Sequence, residues 1–396
     1  MATVGSRASS PVTSHARIRI RIGDLRTPGG PDRLDDVLAR ARDRYGHEVA
    51  ARVEEEIAAI RLADLGSACS ELIAIGQALA PAGHRAEPLG PPATLMLFHV
   101  AGLTCLDPRA HGLLGDVWPP LPNDTGDPAP WLLQRLPQRH IGLAVSMHPA
   151  DLVAFARIRG YSLRVDRYSY EKVDCRDLCF DQVTAMQFPA APGHETLTAF
   201  VSPDPLLRLA AAVTPEAAAA CLHDAQTFHL LATGDTVPLG PLRSAGIRRE
   251  LRRRKPASLE ALAAILAAAN LEAIDADSPD GPAYLEDVAA HTRAVLGITQ
   301  YDSVVLCRSL RYDTFATRHE AWVLDRAVSR GMESASARAL WDKLRGLSKR
   351  NALPSKDTVF PLAFRCLRAA YLQAHEPENF RAIIAADARE RFDTAV

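Results

Sequence analysis

The sequence predicts an α+β protein, with a mixed α/β region over residues 16–204 followed by an all-helical region over 205–396. Short strand-like pieces are confined to the first half, and Ala/Leu-rich segments with helical spacing follow one another in the second. The chain has 396 residues, of which 47% are hydrophobic and 23% charged, so it carries enough apolar side chain for two or three domains.

Residues 1–15 are rich in Ser and Thr, lack an apolar stretch and are expected to be disordered. The segment "HARIRIRIGDL" at His15–Leu25 follows. Arg17, Arg19 and Arg21 alternate with Ile18, Ile20 and Ile22, so a strand here has one core face and one cationic face. A Pro/Gly turn, "TPGGP", leads into the helical stretch 32–65, where Leu34, Val37 and Leu38 recur at helical spacing and Gly46 breaks the pattern into two helices. Residues 81–131, rich in Pro and Gly, read as a loop-rich connection with one apolar segment. Between 138 and 202 the strand-like pieces are "IGLAV", "DLVAFA", "YSLRVDRYSY" and "LTAFV". From 205 onward the predicted helices include "PLLRLAAAV", "SLEALAAILAAAN", "GPAYLEDVAAHTRAVL", "HEAWVLDRAVSRG", "SARALWDKLRGL" and "PLAFRCLRAAYLQAH".

The net charge of −1 predicts neither a nucleic-acid nor a membrane partner, so any basic site must be a local concentration of charge. Lysine occurs only at 172, 255, 343, 349 and 356, and the other basic residues are arginines. Seven scattered cysteines argue against a disulfide framework and for a reducing compartment. The longest apolar run, "TLMLFHVAGLTCL" at 94–106, is too short to span a bilayer. A cytoplasmic protein with no membrane partner is the expectation. Neither Cys175 with Cys179 nor His223 with His229 completes a metal-ligand set, and no P-loop, Gly-x-Ser-x-Gly or His-Glu-x-x-His pattern occurs.

The order of segments in the second half resembles the fingers region of bacterial DNA polymerase III alpha subunits, the C-family DNA polymerases, including their error-prone alpha-like type. The most specific match is "YLQAHEPENF", in which Tyr371, Leu372, Ala374, His375, Pro377 and Phe380 fit a family helix ending Tyr-Leu-Lys-Ala-His-Tyr-Pro-x-x-Phe. The stretch "PDRLDDVLARARDRYGHEVAARV" is similar to a helix that in the family follows a palm strand written Asp-Ile-Asp-Ile-Asp-Phe. The resemblance therefore implies a palm-like α/β domain at 16–204, of nucleotidyltransferase type, and a fingers-like helical domain at 205–396. It covers roughly 16–390 and is strongest over 256–386.

The departures from the family bear on its chemistry. Where the family places aspartates that hold two metal ions, this chain has "RIRIRI". A guanidinium is a permanent cation without a lone pair for Mg²⁺, so Arg17, Arg19 and Arg21 cannot replace those ligands. The family's third aspartate corresponds to Asp181 in "LCFDQVT", a possible remnant. The family's Gln-Leu-Glu-Ser becomes "PLRS" with Arg243, its Arg-Pro-Gly-Pro becomes "ANLEA", and its Tyr-Gln-Glu-Gln becomes "YDSV". Lys356 corresponds to the lysine of a Lys-Ser-His segment whose next residues here are Asp357 and Thr358, and it and Arg243 are candidate anion-binding residues. In "SMHPADLVAF", Ala150 and Asp151 stand where the family has two glycines.

A row of guanidiniums can hold a phosphate backbone through charge-assisted hydrogen bonds, or it can pair with acids such as Asp181, Asp32, Asp35 or Asp36 and close the old cleft. A second basic feature is "RRELRRRK", with Arg248, Arg249, Arg252, Arg253, Arg254 and Lys255; it reads as a polyanion contact or as a solvated helix terminus. Three functions remain open. The first is a catalytically inactive, alpha-like protein that binds DNA or a polymerase, replication or repair protein as an accessory factor, needing no cofactor. The second is an active DNA-directed DNA polymerase, using Mg²⁺ on substitute ligands such as Asp181 with Asp24 or the Asp32/Asp35/Asp36 group. The third is a protein-interaction scaffold without nucleic-acid binding.

Overall fold

Arginine and isoleucine alternate through Ala16–Arg21, and this segment forms strand β1. The computed structural model describes residues 16–21, 33–62, 65–89, 91–113, 140–146, 162–167, 198–203, 205–236, 240–270, 284–310, 313–350 and 354–393. The expected strand "DLVAFA" and the amino-terminal segment 1–15 lie outside them.

β1 joins β2 (Ala86–Leu89), β3 (His140–Val145), β4 (Ser162–Arg167) and β5 (Thr198–Pro203) in a five-stranded sheet of order β2-β3-β5-β1-β4. Only the β3/β5 pair is parallel; the other pairs are antiparallel. β2 falls inside the 81–131 stretch read from sequence as a loop-rich connection. It consists of four residues, one of them Pro88, which is too short for an alternation to show, and Pro is tolerated because β2 is an edge strand.

One face of this sheet rests on helices α1 (Arg33–Arg44), α2 (His47–Leu62), α3 (Gly66–Leu79) and α4 (Met96–Val100). Their apolar residues recur every three or four positions, as in Val49, Val53, Ile57 and Ile60 of α2, and meet Leu143 and Val145 of β3 in one core. Each such side chain contributes about 1.5–3 kcal/mol on leaving water. Gly46 separates α1 from α2 at a positive φ of 83°, where a side chain would be strained. The short α4 has no side-chain cap of its own. Buried Glu56 of α2 supplies it, accepting from Met96 N at 3.1 Å and Leu97 N at 2.8 Å.

The second half contains helices α5 (Pro205–Ala211), α6 (Pro215–Ala220), α7 (Ala225–Thr233), α8 (Ala245–Arg254), α9 (Leu259–Asn270), α10 (Leu285–Leu296), α11 (Gln300–Ser309), α12 (Asp313–Ser329), α13 (Ser334–Arg350), α14 (Lys356–His375) and α15 (Pro377–Asp393). The α+β class expected from the sequence is what the described residues show, with helix predominating. Two large cores account for most of these helices, beside a smaller cluster of Leu285, Ala289, Val304 and Cys307 between α10 and α11. One gathers α5–α9 around α14, and takes in Leu106 and Leu113 from the first half of the chain. The other holds α10–α13 together through Leu296, Leu306, Leu310, Val323, Trp341 and Leu344. Helix α14 is buried on every side from Val359 to Ala370, so it is the axis of the second half.

Candidate nucleic-acid interface

Register fixes which residues share a face of the sheet. Ile18 pairs with Val165 and Val201, and Val201 with Leu143, so positions 18 and 20 belong to the face that rests on α1–α4. Arg17, Arg19 and Arg21 occupy the opposite face. On it Arg17 is paired with Asp166, Arg19 with Arg164 and Phe200, and Arg21 with Ser162 and Thr198.

The same face continues through Ser202 and Ala144 to Glu87 on β2. Here the second half of the chain docks. Buried Ala144 packs with Leu207 and Ala210 of α5, and Glu87 meets two arginines of α14. Arg365 Nε lies 3.6 Å from Glu87 Oε2, and Arg368 Nη2 donates to Glu87 Oε1; both arginines are 1% exposed and Glu87 is 6% exposed. Arg368 Nη1 also donates to Ala210 O at 3.4 Å, and its guanidinium sits 5.0 Å from the Phe364 ring centre. Burial works against the Arg368 charge, but Glu87, with the neighbouring Cys105 and Cys221, outweighs it and holds the guanidinium above its ordinary pKa. Cys105 touches this cluster, with Arg85 Nη1 3.1 Å from its sulfur. The face of the sheet that bears the β1 arginine positions is therefore anchored, at its β2 end, by two cations around one anion.

Sequence reading did not find Glu87, Arg365 or Arg368. Glu87 and Arg368 are separated by 281 positions, and charged residues in a helix ordinarily face water. The available signal was that "VFPLAFRCLRAAYL" is apolar on all sides, so a cation inside it must be buried and paired.

The basic run lies on α8. Ser244 caps the helix by accepting from Ile247 N, and Ile247 and Leu251 anchor it in the core beneath. Gly234, at φ +69°, ends α7 where α8 passes: a Cβ there would lie 2.7 Å from Arg252 Nε and 3.1 Å from Arg248 O. The six basic residues are not equivalent. Arg253 Nη2 and Arg254 Nε bond Glu250 at 2.8 and 3.0 Å, and the Arg253 bond leads in holding the Glu250 carboxyl below its usual range. Arg248 is half-buried. Arg249, Arg252 and Lys255 are exposed and have no carboxylate partner among the described residues. Lys255 closes the helix at φ 47°, its N–H donating to Leu251 O at 2.9 Å.

The remaining candidates lie elsewhere. Arg243 is exposed on the turn Gly240–Arg243 that precedes α8. Lys356 starts α14 and pairs with Asp287 Oδ1 at 2.6 Å. Asp35 pairs with Arg61 at 2.9 Å. Asp181, Asp24, Asp32 and the "SMHPAD" turn lie outside the described residues. The end of α14 is held by side-chain contacts: His375 Nε2 lies 2.9 Å from Asp224 Oδ2, its ring centre lies 4.3 Å from that of Tyr371 in a tilted arrangement, and Asp224 caps α7. Among the described residues no three His, Cys, Asp or Glu side chains form a metal-binding group, and no helix is long and apolar enough to cross a membrane. No protein-family model matches the chain, and no curated protein matches it.

Proposed function

We propose that the protein is a DNA polymerase III alpha-like chain without polymerase activity that binds DNA as an accessory factor in replication or repair. The observation that carries the reading is the end of α8, where Arg249, Arg252 and Lys255 stand exposed with no acidic partner among the described residues. Cations left unpaired on an otherwise near-neutral protein suit a phosphate backbone, from which each contact releases a counterion. Support also comes from β1, where the order of motifs resembles a palm strand but the residue types at 17, 19 and 21 are cationic. Guanidiniums at such positions fit phosphate oxygens, not metal ions. Cytoplasmic residence and Mg²⁺-independent binding belong to the same proposal.

The test is titration of the purified protein with a fluorescent primer–template duplex at low and moderate salt, with Mg²⁺ and all four deoxynucleotides present, reading anisotropy and primer length together. Salt-sensitive binding without extension is expected. Replacing Arg249, Arg252 and Lys255 by alanine should lower the salt slope by about one per cation removed. Primer extension that disappears with Asp181→Asn would replace this reading by an active polymerase. Absence of binding at low salt would leave a protein-interaction scaffold.

A further inference from the structure

We propose that Glu286, Ser355 and Asp357 form a proton-dependent latch that fastens the α10–α13 unit to the N-terminus of α14. This goes beyond DNA binding and does not depend on it.

The geometry starts from two helix N-termini that meet. Glu286 lies in the first turn of α10 and Asp357 in the first turn of α14, and both are buried, at 3% and 5% exposure. Between them sits one hydroxyl. Ser355 Oγ is in hydrogen-bond contact with Glu286 Oε1 and with Asp357 Oδ1. A serine hydroxyl has a single hydrogen, so it can donate to only one of the two acids. The other must donate to it. The hydroxyl contacts are symmetric between the two acids, and the proton is assigned to Glu286 Oε1 because burial between Asp357 and the start of α14 disfavours its charge. Glu286 Oε2 stays free to accept from Lys356 N at 2.8 Å, capping α14. The chain of donation runs from Glu286 Oε1–H to Ser355 Oγ and from Ser355 Oγ–H to Asp357.

Burial, and then the facing Asp357, raise the Glu286 carboxyl above its usual range. The other charged or titratable groups around the latch are Asp287 on α10, Lys356 on α14, which bonds Asp287, the Tyr284 phenol beside them, and Glu260 of α9, held by His111 at 2.8 Å. The Lys356–Asp287 pair is already satisfied, so it does not neutralise a second negative charge at Ser355.

The α10–α13 helices have a core of their own beside the one around α14, and Tyr284 at the start of α10 reaches into the latter against Phe360. Polar links across the junction include this cluster, the Lys356–Asp287 pair, Lys356 over the Tyr284 ring at 5.4 Å and a backbone bond from Leu285 N to Pro354 O at 2.9 Å. Loss of the shared proton leaves two carboxylates competing for one hydroxyl hydrogen, and the junction loosens as pH rises.

Hydrogen–deuterium exchange of the full chain tests this, following amides in residues 285–289 and 356–360 from about pH 5 to about pH 9 after correction for the intrinsic rate. The wild-type protein should show corrected exchange that rises across this range, because the bonds of the latch are lost with the Glu286 proton. Glu286→Gln keeps a neutral donor and acceptor, and should stay protected throughout. Asp287→Asn removes the neighbouring ion pair and should keep the pH dependence. A flat wild-type profile, or a Glu286→Gln profile that rises with the wild type's, overturns the latch. If Glu286→Gln does not fold, the infrared carbonyl band of a protonated carboxyl in the wild-type protein decides: it must fade over the pH range in which exchange rises, and its absence at low pH overturns the proposal.

Discussion

At its middle, helix α14 buries two guanidiniums around one carboxylate; at its N-terminus it buries two carboxyl groups around one hydroxyl. Both clusters join α14 to another part of the chain, the first to the sheet through Glu87 and the second to the α10–α13 unit through Glu286. Charge taken from water must be compensated, and the two places compensate differently. At Glu87 a carboxylate attracts two guanidiniums directly, with no hydroxyl or shared proton between them. The two carboxyl groups of Glu286 and Asp357 hold together only while one of them keeps a proton, so that joint depends on pH. The joint to the sheet is the permanent one, and the joint to α10–α13 is the adjustable one.

The largest effect should come from breaking the permanent joint. Glu87→Gln strands Arg365 and Arg368 in the interior, and unpairing a buried charge costs about 3–5 kcal/mol. Urea denaturation at neutral pH should show that loss. Replacing all three residues together, Glu87→Leu with Arg365→Met and Arg368→Met, should cost far less than Glu87→Gln, because no stranded charge remains. A triple variant less stable than the single one would mean that the cluster contributes net attraction beyond its own desolvation.

Next in size is the adjustable joint. The Glu286 pKa is raised on folding, so its stabilising contribution is fully present below the ordinary glutamate pKa and is lost as pH climbs through the folded value. Glu286→Gln should flatten the alkaline limb of the stability profile, whereas Glu87→Gln should lower the whole profile without flattening it. Denaturation midpoints measured across that range distinguish the two.

These two clusters also mark the limit of what the sequence made legible. Period alone located β1, the break at Gly46 and the long helices, because an amphipathic stripe is a local property. The partners of Glu87 and Glu286 are distant in the chain, and no local rule joins Glu87 to Arg368 or Glu286 to Ser355. Lys356 shows the same limit from the other side. From sequence it is a candidate for phosphate contact, and in the structure it bonds Asp287, sixty-nine positions away. The α8 cations were visible as a run of letters, but the division into those tied to Glu250 and those left over was not.

The smallest effect on stability should come from α8, which neither cluster touches, and there a single residue sets stability against charge. Lys255 closes the helix with φ 47°, a conformation that costs a residue with a Cβ about 1 kcal/mol and glycine almost nothing. Lys255→Gly should therefore raise the denaturation midpoint slightly, by the equivalent of about 0.5–1 kcal/mol. Helix closure itself would survive, since the bond to Leu251 O uses the backbone N–H. If the unpaired cations of α8 meet DNA, the same variant should bind primer–template more weakly and with a salt slope smaller by about one. Greater stability with weaker binding would show that the lysine occupies a strained position for its charge. Greater stability with unchanged binding would remove Lys255 from the interface and leave Arg249 and Arg252 to carry it.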